Sequence, residues 1–119
     1  MPNENRTNNR RKFSYYVQVF ENVTLELFGY ITDISPRGFR LDSVKPHGVN
    51  RDYTLRIDLT GEIFERSFVT FVARVMWIKP DPFDTSAFIE GYKIISITPA
   101  DEAIFNKMLE NYSSNGHNW

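Results

Sequence analysis

The chain has 119 residues, 41% of them hydrophobic, which supports one core and one domain rather than two. With 14 Lys and Arg against 15 Asp and Glu the net charge is −1, so the chain as a whole is neither a polyanion binder nor an acidic tail, and any anion site must be local. The absence of cysteine excludes disulfide frameworks and thiolate metal sites, and no run approaches the roughly 18 apolar residues of a membrane span.

Residues 1–12 form a polar, basic arm with no apolar stretch behind it, which does not read as a secretory signal and points to a cytoplasmic protein. Its lack of periodicity predicts a segment ordered only by a ligand or partner. Alternation begins at Phe13: Phe13, Tyr15, Val17 and Val19 share one face of a strand and Gln18 takes the other, with Asn22 ending it. A second strand is predicted over Leu25–Ile34, where Gly29 marks a bulge or a close backbone approach. Ser35-Pro36-Arg37-Gly38 reads as a turn, Pro presetting φ and Gly accepting a positive one. A short third strand follows, with Phe39 and Leu41 inward and Arg40 and Asp42 outward.

Tyr53–Leu59 alternates without error. Phe68–Ile78 is long and β-rich, with Phe71, Ala73, Val75 and Trp77 opposite Val72, Arg74 and Met76, and Pro80 and Pro82 are expected to stop it. Phe88–Ile97 is the last strand, with Gly91 inside it. At Thr98 the period changes to 3.6. Thr98 caps, Pro99 takes the first helical position, Asp101 and Glu102 suit the positive dipole end, and Ile104, Phe105, Met108, Leu109 and Tyr112 make an apolar stripe. The prediction is an all-β domain over residues 13–112, a six-stranded antiparallel barrel with a C-terminal helix over 99–112 and a disordered tail over 113–119.

Catalysis needs a constellation, and the two histidines, His47 in a Pro-Gly loop and His117 near the C-terminus, have no sequence-evident partners, so His47 reads as a surface-loop residue. Asp81 with Asp84, and Glu62 with Glu65, sit in predicted loops with nothing to raise a pKa. No enzyme is expected. Asp33-Ile34-Ser35-Pro36-Arg37-Gly38 mimics the opening of a calcium loop, but Arg37 holds the fifth position, Val44 stands where a bidentate Glu is needed, and the flanks are strands. Calcium is rejected, and no metal or cofactor is expected.

Arg6, Arg10, Arg11 and Lys12 put four cations in seven residues just before the first strand. Beside a barrel carrying an acid-serine-glycine turn, they complement a guanine nucleotide. Arg forks onto phosphate oxygens or onto guanine O6 and N7 and stacks on the base, while Asp33 can accept from guanine N1–H and N2–H. Ser35 adds a small donor and acceptor, and Gly38 permits close approach.

These segments resemble the PilZ domain family, whose pattern is adjacent arginines with an Arg-x-x-x-Arg spacing before the first strand, then Asp or Asn-x-Ser-x-x-Gly about twenty to thirty residues on. Arg10-Arg11 and Asp33-x-Ser35-x-x-Gly38 carry the likeness, supported by Val75-x-Trp77, Gly91 and the terminal helix, over roughly Arg6 to Tyr112. The resemblance implies a bacterial six-stranded barrel that binds cyclic di-GMP, with Arg6, Arg10, Arg11, Asp33, Ser35 and Gly38 as ligand residues, and that passes the signal to a protein partner. The sequence departs from the pattern at Tyr15, four residues after Arg11, and at Ser14, four after Arg10; a true spacing exists at Arg6 and Arg10, further out than usual. That departure keeps a rival open, a degenerate adaptor that has lost the nucleotide and acts through protein contacts. A third class, a barrel binding single-stranded nucleic acid on exposed aromatics, is opposed by the near-neutral charge and by the inward phasing of most aromatics.

Overall fold

The computed structural model describes residues 11–59 and 67–112, with 11–16, Leu109, Asn111 and Tyr112 as backbone alone. Six strands and one helix follow in order: β1 (Arg11–Glu21), β2 (Leu27–Ser35), β3 (Gly38–Ser43), β4 (Asp52–Asp58), β5 (Phe68–Asp81), β6 (Asp84–Ser96) and α1 (Pro99–Tyr112). Every neighbouring pair is antiparallel, and the order β1-β2-β3-β6-β5-β4 closes on itself through β1 and β4. The expected six-stranded barrel with a C-terminal helix is therefore the fold.

Period-two alternation fills the interior. Val17, Val19, Ile31, Leu41, Leu55 and Ile57 are buried from four strands, and Val69, Phe71, Ala73 and Val75 from β5. Each large aliphatic side chain so buried contributes roughly 1.5–3 kcal/mol. The chain leaves β6 into α1 at one mouth of the barrel, where Phe105 and Met108 are buried and the Phe105 ring meets Phe71 edge-on at 5.7 Å. Thr98 caps the helix: its Oγ1 accepts from the Asp101 amide at 3.2 Å and donates to the Asp101 carboxylate at 3.0 Å.

Three local expectations change. β2 begins at Leu27, because Leu25 has a left-handed φ of 62° inside a turn that Glu21 holds by accepting from the Val23 and Thr24 amides. Pro80 does not stop β5, which runs through it to Asp81, while β6 starts at Asp84 rather than Phe88. The reason is that β4 pairs with β5 only as far as Arg74, so the tip of the β5–β6 hairpin has one neighbour and a proline there removes no ladder bond on the other side. Finally, no described glycine has a positive φ, so Gly38 is not in the turn for its conformational freedom. A side chain there would collide with the Tyr92 carbonyl oxygen of β6. Gly29 meets its expectation on both counts, lying at a register shift between β1 and β2 and 2.7 Å, measured from an added Cβ, from the Asp42 carbonyl.

Candidate functional site

The Pro36-Arg37 turn pairs Ser35 with Gly38, and the Ser35 hydroxyl donates to the Gly38 carbonyl at 3.4 Å. From this turn the register lines up one transverse row across five strands. Lys12 of β1 stands opposite Asp33 of β2, Asp33 opposite Arg40 of β3, Arg40 opposite Gly91 of β6, and Gly91 opposite Trp77 of β5. Residues remote in sequence thus become neighbours on the outer wall.

Within the row, Arg40 Nη1 lies 3.4 Å from Asp33 Oδ2, and the Asp33 side chain keeps only 5% of its exposure. The Arg40 guanidinium also stands 5.7 Å from the centre of the Trp77 ring, which Lys79 approaches at 5.3 Å from its ammonium group. Trp77 lies directly over Gly91, where any side chain would occupy the space of the indole. The register shift between Val75 and Trp77 turns this indole outward, against the expectation that it shares the inner face of Phe71, Ala73 and Val75. Together Asp33, Ser35, Gly38, Arg40, Trp77 and Lys93 bound an open cleft of about 250 Å³.

The sequence-predicted residues divide accordingly. Asp33, Ser35 and Gly38 meet at this cleft. The backbone of Arg11 begins β1 opposite Ile34, one step from Asp33. Arg6 and Arg10 lie outside the described residues. Arg40, Trp77 and Lys93 received no site role from sequence, although the outward phase of Arg40 seven residues after Asp33 on one hairpin was a usable signal.

A second polar cluster corrects the surface-loop reading of His47. The loop between β3 and β4 brings His47 over the other barrel mouth, where its amide and Nδ1 lie each 2.8 Å from an oxygen of Glu90, a side chain with 0% exposure. The Tyr92 hydroxyl donates to the same carboxylate at 2.9 Å, and the imidazole stacks on Phe28 with centroids 3.8 Å apart. Burial and the Glu90 charge hold the Tyr92 hydroxyl far above its usual pKa, so it stays a donor. Among the described residues no group of three acidic or histidine side chains is placed to hold a metal, and no helix is long and apolar enough to cross a membrane.

The model of the PilZ domain matches residues 4–111. The chain belongs to the PilZ domain family. Three solved structures share this PilZ fold. K. pneumonia MrkH in its apo state is 17% identical with a TM-score of 0.66, covering 87% of this chain and 49% of that one. The Bacillus subtilis inhibitor of motility, MotI/DgrA, is 16% identical with a TM-score of 0.62, covering 85% and 50%. Borreliella burgdorferi PlzA in complex with c-di-GMP is 15% identical with a TM-score of 0.53, covering 100% and 51%. The chain spans about half the length of these structures, and at such identities the likeness is one of fold. No curated protein matches the chain in sequence.

Proposed function

We propose that this PilZ domain is a cytoplasmic bacterial receptor for cyclic di-GMP that performs no chemistry on its ligand and relays its occupancy to a protein partner. The observation that carries the reading is the transverse row, which sets a carboxylate, a guanidinium and an exposed indole side by side next to the strand that continues into the arginine arm. Asp33 supplies the acceptor for a guanine N1–H and N2–H edge, Trp77 a face for the base, and Arg40 with Lys93 charge for phosphate. Because Arg40 covers Asp33 in the free protein, the base must displace that guanidinium, which then turns to the phosphate. The cleft of about 250 Å³ falls below the usual range of roughly 300–1,000 Å³ for a ligand pocket, so the ligand needs a second wall. Arg6, Arg10 and Arg11 form it, and their ordering is the switch that alters the surface a partner meets.

Calorimetric titration with cyclic di-GMP tests the reading. Wild type is expected to bind, and Arg10→Ala/Arg11→Ala to lose at least about a hundredfold in affinity, since each charge-assisted contact contributes roughly 1.5–3 kcal/mol. Unchanged affinity in that variant removes the arm from the site. A wild type that does not bind supports the second reading, an adaptor without nucleotide, which the closed Asp33–Arg40 pair and Tyr15 at the position of the family's second arginine favour.

A further inference from the structure

The row that meets the cleft continues along β3 to a different surface. Gly38, Arg40 and Asp42 share the outer phase of β3, and where the strand ends a second groove, about 690 Å³ in volume, opens between β2, β3 and the overhanging β5–β6 hairpin. Asp42, Asp81 and Asp84 contribute carboxylates to it from three strands or their ends, and none of the described residues lining it is cationic. Burial and the neighbouring Asp81 raise the Asp42 carboxyl above its ordinary range, Arg40 opposing and Asp33 adding to the rise. The apolar contribution is exposed: Leu27 and Val44 line the groove at 48% and 75% exposure, and Phe83 stands 95% exposed between Asp81 and Asp84. Ser43, a lining residue only 5% exposed, has a buried hydroxyl with no hydrogen-bond partner among the described residues. Buried polar groups without partners are rare in finished surfaces.

We propose that this groove is a docking site for a partner protein that presents a lysine- or arginine-bearing apolar segment. Three carboxylates in a groove with no cation among its described lining residues call for positive charge, and the exposed Leu27, Val44 and Phe83 call for apolar side chains between the positive ones. The chain's own basic arm does not meet that requirement, since residues 1–10 contain Met1 and Pro2 but no further apolar side chain. A second copy related by a two-fold axis through the groove would set the same three carboxylates against one another. The site is separate from the nucleotide cleft and stands whether or not cyclic di-GMP binds.

The test follows backbone amide shifts of the full chain as a synthetic peptide of alternating lysine and leucine is added, with an alternating glutamate and leucine peptide as control. Saturable shifts at Gly29, Ser43 and Ala87 are expected with the first peptide alone. Asp42→Asn should weaken that binding about two- to fivefold, the scale of one exposed charge pair, and Val44→Ser should weaken it further, with unchanged amide spectra elsewhere certifying the fold. Shifts scattered over the barrel, equal binding of the acidic peptide, or indifference to both substitutions would overturn the proposal. A concentration-dependent dimer in sedimentation that Val44→Ser abolishes would also overturn it and assign the face to a second copy.

Discussion

A carboxylate with no exposure inside an apolar barrel core is costly unless every lone pair is answered, and Glu90 is answered by an amide, an imidazole and a phenol. The consequence is a fixed lid: His47 cannot leave the mouth without stranding that charge. Tyr92→Phe or His47→Ala is expected to lower unfolding free energy by about 1–3 kcal/mol in urea titrations; a loss below a few tenths would mean that water replaces the missing donor. At Asp42 the sign is opposite. Its folded pKa is raised above the unfolded one, so its ionised form weakens folding above the folded pKa, and that penalty is relieved as pH falls through it. Asp42→Asn should therefore stabilise the protein at neutral pH, with the gain fading as acid protonates Asp42 in the wild type. Thermal melts at neutral pH and near pH 4 read this directly.

At the scale of elements, two glycines on facing strands do different jobs. Gly38 abuts the Tyr92 backbone, so Gly38→Ala must part β3 from β6 and should cost about 1–3 kcal/mol or more. Gly91 abuts the Trp77 indole, which can swing away, so Gly91→Ala should leave stability nearer to wild type while weakening nucleotide binding. Equal stability losses in chemical denaturation would show that the indole is not free to move. The same contrast explains what was legible in the sequence. Alternation in Tyr53–Leu59 and the Thr98-Pro99 helix start are local signals; the helix stands where it was predicted and β4 lies one residue earlier, over Asp52–Asp58. The passage of β5 through Pro80 was not legible, because a proline's cost depends on whether a neighbouring strand lies alongside, and β4 stops short of it. Nor was Trp77 legible as a site residue, since a one-residue bulge reverses its phase. His47 and Glu90 met across a sequence separation of 43, and Arg40 met Trp77 only through the register of β6.

Across the whole molecule, the barrel's weakest closure is the join of β1 to β4, made by Phe20 with Arg56 and Glu21 with Leu55, whereas β4 pairs with β5 along its entire length. Amide hydrogen exchange should be fastest along that join and slowest in β5 and β6. The hairpins β1–β2, β2–β3, β4–β5 and β5–β6 form between elements adjacent in sequence or close to it, while the join of β1 to β4 must wait for strands separated by two others. Opening therefore starts at the Glu21–Leu55 join, and the arginine arm comes away only when β1 then peels from β2. A ligand gripping that arm would act as a brake on this peeling: it would lengthen the lifetime of the folded barrel and slow its unfolding, while the rate of folding stayed where the hairpins set it.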